Sequence, residues 1–247
     1  SVSFQPDLVW MKGRSGATDH ALYDSVRGTT LDLVSNSIAV ETTQTTGLTT
    51  FGAAGFTVGA LAKVNTSAAT YVGWQWNAGG TTVTNGVGTI SSQVRANTTA
   101  GFSVVTYPGT VANATVGHGL GVAPSLIIGK GRGTQVATSN WATYHVSLGN
   151  TQRVWLDLTN TAGTSATYYN STSPTNSVFS LGTEGTINGL LATYVAYCWA
   201  PVAGYSAFGS YTGNGSADGP FIYTGFRPRW LMIKRTDTAG NNWVILE

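Results

Sequence analysis

Phe4–Arg14 reads FQPDLVWMKGR, an apolar run between a proline and a Lys/Arg pair. Near copies return as VAPSLIIGKGR over Val122–Arg132 and FRPRWLMIKR over Phe226–Arg235. Alignment on Pro6, Pro124 and Pro228 puts a lysine six positions on each time, at Lys12, Lys130 and Lys234, with Arg14, Arg132 and Arg235 close behind. Leu8–Met11 and Leu126–Ile128 are apolar at consecutive positions, the pattern of a central strand covered on both faces. The proline stands where a missing N–H costs least, at the strand's start. After the run, Lys and Arg are expected to mark the exit into solvent, stems on apolar surface and heads in water. The other reading makes them cationic sites for an acidic partner, repeated in every copy.

Further landmarks keep the same spacing. Tyr107 with Gly109 precedes Pro124 by 17 residues, and Tyr211 with Gly213 precedes Pro228 by 17. FTVG (Phe56–Gly59) and FSLG (Phe179–Gly182) are each followed, nine residues after the Phe, by Asn65 or Asn188. Fifteen residues after the same Phe come YVGWQW (Tyr71–Trp76) and YVAYCW (Tyr194–Trp199). Matching residue types at separated landmarks indicate tandem duplication of a unit of about a hundred residues. The expected divisions are 1–101, a first copy without its opening strands; 102–204, a complete copy; and 205–247, the start of a third.

Within the complete unit, FSVVTY, PSLIIGK, WATYHV, RVWLDL, SVFSLG and TYVAYCW are rich in β-branched and aromatic residues, with Gly, Asn, Ser and Pro between them. No stretch carries helical periodicity between caps for as much as about three turns. The expectation is an all-β chain of tandem antiparallel β-sandwich repeats, two to three units with incomplete ends. In the closing strand Val195, Tyr197 and Trp199 alternate with Tyr194, Ala196 and Cys198, as Val72, Trp74 and Trp76 do with Tyr71, Gly73 and Gln75. The heavy aromatic face is expected to be core. The small residues opposite suggest close approach by a neighbouring strand, unit or chain.

With 42% apolar and 11% aromatic residues the 247-residue chain has enough to build a core. Charged residues are only 9%, against about 25% in an ordinary domain, which leaves a polar, nearly uncharged surface. A net charge of +2 supplies no basic stripe, so nucleic acid is not an expected partner. The apolar stretch over residues 190–204 is broken by Thr193, Pro201 and Gly204, and no membrane span is expected. The opening residues do not read as a secretion signal. Cys198 is the sole cysteine, which excludes an internal disulfide and a cysteine-based metal site.

Catalytic signals are weak. His20, His118 and His145 do not cluster in sequence and do not share an aligned position. Asp157 and Glu184 are the only acidic residues of the complete unit, a poor source for a carboxylate pair. Gly-rich GKGRG (Gly129–Gly133) lacks the strand–loop–helix setting of a phosphate loop. No catalytic, cofactor-binding or metal-binding residue is therefore assigned, and the expected protein is not an enzyme. Exposed aromatics on such a surface suit sugar stacking, with Tyr168, Tyr169 and Tyr205 as candidates; the alternative is local packing over loops.

The combination of YTGNGS (Tyr211–Ser216), GFRPRWLMIKR (Gly225–Arg235) and NWVILE (Asn242–Glu247) with Phe4–Gly28 and GFTVG…YVGWQW resembles a repeat module of virion structural proteins from marine bacteriophages. In that family the module occurs in long multi-domain chains, sometimes beside laminin-G-like lectin sandwiches. The resemblance implies a tail-fibre, tail-associated or capsid-surface component on the virion exterior, without cofactor. Its implied partners are other virion proteins or further copies of itself. The second copy departs from the pattern, with Val122 for Phe and WATYHVSLG for HALYDSVRG, so a binding role for Asp24 or Arg27 would not extend to it. The rival is a carbohydrate-binding adhesin on a cell or virion, contacting host glycan; a third reading, a glycosidase accessory domain, needs a catalytic domain elsewhere. One more expectation concerns the ends: the opening strands of the third copy complete the first copy of a neighbouring chain, or the remaining parts lie in sequence beyond this chain.

Overall fold

The computed structural model describes residues 2–136 and 139–247, which form antiparallel sheets joined by loops and single helical turns. The chain begins with β1 (Leu8–Gly13), β2 (Ala21–Asp24), β3 (Gly28–Leu33) and β4 (Thr42–Thr43). A hairpin of β5 (Leu48–Gly52) and β6 (Gly55–Val58), the turn α1 (Ala62–Asn65) and β7 (Tyr71–Trp76) follow. Next come β8 (Val83–Asn85), β9 (Ser92–Asn97), β10 (Phe102–Pro108), β11 (Ala114–Gly117), β12 (Leu126–Gly131), β13 (Ala142–His145), β14 (Gln152–Trp155) and β15 (Gly163–Thr164). Then α2 (Ala166–Tyr169), β16 (Val178–Leu181), α3 (Gly185–Asn188) and β17 (Thr193–Trp199) lead to a last hairpin, β18 (Leu231–Ile233) and β19 (Val244–Leu246). The first large sheet has the order β4-β3-β2-β1-β7 and the second β15-β14-β13-β12-β17-β10-β9-β8. The chain is all-β and sandwich-like, as its strand patterns indicate.

The proline-anchored runs are the central strands. β1 lies between β2 and β7, pairing Leu8 with Trp76 and Gly13 with Tyr71. β12 lies between β13 and β17 in the matching register, Leu126 with Trp199 and Gly131 with Tyr194. On the other flank Leu8 faces Asp24 and Leu126 faces His145. β18 pairs Leu231 with Leu246 and Ile233 with Val244, which continues the same alignment into the third copy. Residues aligned by spacing in the sequence thus occupy corresponding places in space.

Successive strand residues point to opposite faces, so each central strand feeds two cores. Val9 and Met11 join Tyr23, Leu48 and Val64 beneath the β5–β6 hairpin and α1. Ile127 joins Ala196, Cys198, Tyr107 and Phe179 beneath β11, β16 and α3. The remaining faces meet one another: Leu8, Trp10 and Leu22 pack with Val104, Ile128, Trp141 and Tyr197, and Trp74, Trp76, Met232 and Ile245 lie against them. At about 1.5–3 kcal/mol for each large apolar side chain fully buried, this shared layer binds the copies together. It crosses both sequence divisions, 101/102 and 204/205.

The junctions between copies repeat as well. Trp141 Nε1 donates to the Val34 carbonyl at 2.8 Å, and Trp243 Nε1 donates to the Trp155 carbonyl at 2.8 Å. The Glu41 N–H donates to the Arg132 carbonyl, and the Ala162 N–H to the Thr236 carbonyl, both at 2.9 Å. Each second pair is the aligned counterpart of the first, so the third copy sits on the second as the second sits on the first. The Tyr197 hydroxyl donates to Asp24 Oδ2 at 2.8 Å, and Trp74 Nε1 donates to Glu247 Oε2 at 2.9 Å. Trp74 matches Tyr197 and Glu247 matches Asp24. That contact ties β7 to the residue after β19, beside the layer the sheets share.

Candidate assembly site

The recurring lysines reach solvent less than expected. Lys130 is wholly buried, and Lys12 and Lys234 are partly so. Each ammonium turns back to donate to a backbone carbonyl in the following loop: Lys12 to Thr18, Lys130 to Ser139 and Lys234 to Asn241. Thr18, Ser139 and Asn241 share one aligned position. The correction has a physical reason: a buried carbonyl needs a donor, and a flexible ammonium at the strand's end supplies one. Burial lowers the pKa of Lys130 to about 8, although Asp157 favours its charged form. Its Nζ also lies 5.7 Å from the centre of the Trp141 ring. Arg132 is bonded to Glu41 and Arg235 to Asp237, while Arg14 is exposed.

The histidines stay apart. His20 accepts from Trp10 Nε1 at 2.7 Å; burial first, then nearby Lys12, lowers its pKa to about 4. His118 bonds the Thr175 carbonyl and accepts from the Leu120 N–H, and His145 accepts from the Ser147 N–H. Asp157 accepts from Asn140 and the Trp141 N–H. Among the described residues no group of three His, Cys, Asp or Glu side chains is placed to hold a metal ion. An apolar void of about 10 Å³ bordered by Tyr107, Ile127, Phe179 and Ile187 is too small for an organic ligand.

Two of the three sugar-stacking candidates are corrected. Tyr168 and Tyr169 are each only 6% exposed, their rings packed edge-on against Trp155 and Tyr144 respectively. The Arg153 guanidinium lies over both Trp155 and Tyr168, 4.5 and 4.4 Å from the ring centres. Tyr205 is 65% exposed, and the segment after it adds exposed Tyr211, Phe221 and Tyr223. Sequence spacing marked Tyr211 only as a repeat landmark and did not single out Phe221 or Tyr223.

A buried polar group joins the first and second copies. Arg27 pairs with Asp24, donates to Glu41 Oε2 at 2.8 Å and reaches the Tyr197 hydroxyl at 3.2 Å. Arg132 also grips Glu41, with bonds of 3.0 and 2.8 Å. Burial opposes the Arg27 charge, but Asp24, Tyr197 and Glu41 outweigh it and raise the pKa above its usual value. Burial likewise works against the Glu41 carboxylate, yet Arg132 and Arg27 hold its pKa below the ordinary range. This arrangement holds Asp24, Arg27 and Glu41 of the first copy against Arg132 and Tyr197 of the second.

The closing strands differ in their outer edges. β17 is paired on both sides, with β12 and with β10. β7 is paired with β1 alone and forms the rim of its sheet. The Arg14 N–H donates to the Thr70 carbonyl at 2.8 Å, which fixes the phase of the ladder. Alternation then turns the main-chain groups of Tyr71, Gly73 and Gln75 away from β1, toward the open side. Among the described residues no strand lies there.

The whole of residues 1–247 matches the family described as a domain of unknown function, DUF7483, and the chain belongs to it. No curated protein and no solved structure matches the chain. No helix among the described residues is long and apolar enough to cross a membrane.

Proposed function

We propose that this chain is a non-enzymatic structural module of a phage particle, a tail-fibre, tail-associated or capsid-surface component that associates with other virion proteins or with itself. The observation that carries this reading is the repeated junction: Trp141 on Val34 and Trp243 on Trp155 are one contact used twice, so the copies are built to sit on one another. The sequence resemblance to virion repeat modules supplies the setting. The test is immunogold electron microscopy with antibody against the chain, applied to purified particles from the source culture. Regularly placed label on head or tail supports the reading, and label confined to cell debris overturns it.

The second reading, a glycan-binding surface, is favoured by one feature, the exposed rings of Tyr205, Tyr211, Phe221 and Tyr223 within a single segment. Flat aromatic faces on a weakly charged surface suit the apolar face of a sugar. Binding on a glycan array that disappears in Tyr205→Ala and Tyr211→Ala would favour the adhesin. Signal unchanged by both substitutions would count against it.

A further inference from the structure

We propose that the open edge of β7 receives the Ser206–Thr212 segment of a second copy of this chain as an added antiparallel strand, with Tyr211 opposite Tyr71, Gly209 opposite Gly73 and Ala207 opposite Gln75. The inference rests on the reading of the chain as an assembly module, but not on its residence in a particle.

The second copy supplies the template. There β10 pairs Tyr107 with Tyr194, Val105 with Ala196 and Ser103 with Cys198. The Gly109 N–H donates to the Ala192 carbonyl and the Ala200 N–H to the Gly101 carbonyl, both at 2.8 Å, which sets the phase of that ladder. Tyr194, Ala196 and Cys198 match Tyr71, Gly73 and Gln75, the residues whose main chain faces the open side of β7. The shared spacing of Tyr, Gly and Pro aligns Phe102–Pro108 with Ser206–Thr212. That segment joins no sheet: Ser206 is bridged to nearby Val202, Phe208 packs half-buried on its own chain's core beside His145, and the other residues are exposed.

Side-chain alternation agrees with the register. Phe208 falls opposite Trp74, as Val104 falls opposite Tyr197, on the face of the shared core. Tyr211 falls beside Tyr71, as Tyr107 stacks on Tyr194 with ring centres 5.3 Å apart and planes 17° from parallel. The edge itself points to a strand partner. Solvent-facing edges are normally blunted by lysine, proline or a bulge, and YVGWQW carries no lysine, no proline and no break in register against β1. A strand added here gains main-chain bonds for affinity and alternate side-chain sites for selectivity. The donor and the acceptor are different surfaces, so the contact is heterologous and yields a ring or a filament.

The test is oxidative cross-linking of the full chain carrying Val72→Cys and Ser210→Cys. These positions form a non-hydrogen-bonded pair in the proposed register, where Cβ atoms approach to about 4.5–5.5 Å, near disulfide reach. Cys198 is buried with its thiol pushed up to about 12, so it does not compete. The expected result is a ladder of covalent dimers and larger species, at least about tenfold above either single variant. Absence of a ladder, or an equal ladder from the single variants, overturns the proposal. If the double variant does not fold, light scattering on the wild-type chain decides: association should rise with concentration. Gly209→Pro, which removes an N–H the ladder needs, should cut it about tenfold while leaving the unfolding midpoint unchanged. A wild-type chain that stays monomeric at millimolar concentration assigns the edge to another occupant and overturns the pairing. Particle labelling without cross-links refutes the pairing alone; cross-links without labelling refute only the particle reading.

Discussion

β7 and β17 share three of six aligned residues in YVGWQW and YVAYCW and the same register against their central strands, yet they end in different surroundings. Every residue of β7 is partly exposed, while Tyr194–Trp199 are all buried. The difference lies in what stands alongside: β17 has β10 at its second edge, and among the described residues β7 has no strand there. Local sequence therefore sets strand, phase and facing, whereas burial is set by neighbours more than a strand's length away. The same contrast separates the two junctions that these strands make, Tyr197 on Asp24 and Trp74 on Glu247.

Breaking the buried junction should have the largest effect. Arg27→Ala leaves Asp24 and Glu41 without their shared partner and should cost about 3–5 kcal/mol in urea unfolding. Glu247→Ala, at the exposed counterpart, should cost at most about 1 kcal/mol. Equal costs would mean that burial does not distinguish the junctions, and the comparison would fail.

A smaller effect is expected from Lys130. Its folded pKa of about 8 lies below the ordinary lysine value, so between about pH 8 and pH 10.4 the unfolded chain binds more protons than the folded one. Stability from this group therefore rises with pH across that window, by a total of about 3 kcal/mol. Cys198 acts in the opposite direction above about pH 9, because its folded thiol is harder to ionise than an exposed one. The readout is thus the wild-type minus Lys130→Met difference in urea midpoint, which should become more positive from pH 8 to pH 10; a flat difference would sink the assignment.

The smallest effect belongs to the two strand-opening tyrosines. The Tyr194 hydroxyl accepts from the Gly189 N–H and donates to the Gly185 carbonyl, both at 2.6 Å. Tyr71 does the same with Thr66 and Ala62, at 2.9 and 3.0 Å, but in contact with solvent. Tyr194→Phe should cost about 1–2 kcal/mol and Tyr71→Phe about half a kcal/mol or less. Reversed magnitudes in thermal unfolding would show that the open edge, not the closed one, governs local stability.

Much of this architecture is legible in the residues. Consecutive apolar positions in LVWM and LII announce strands with two covered faces, and the spacing of Pro, Lys and Tyr aligns β1 with β12 and β7 with β17, while the pairing of the central strand with the closing strand is seen only in the structure. The destination of the lysines is not legible, because a loop carbonyl has no residue-type signature: Thr18, Ser139 and Asn241 differ in side chain and agree only in backbone position. Nor is the Arg27–Tyr197 junction, whose partners lie 170 positions apart and carry no shared pattern. Tyr168 and Tyr169 misled for a related reason. Their turn-like context TYYNS is real, since Asn170 ends α2 in the left-handed region, but the rings fold inward, Tyr168 under Arg153 and Tyr169 against Tyr144.

The bond from Trp74 to Glu247 bears on how such a molecule reaches any great size. That single bond couples the rim strand of the first sheet to the final hairpin, so a disturbance at either is felt by the other. Under the strand addition proposed above, that rim is the place where one copy would meet the next, with the last hairpin as its brace.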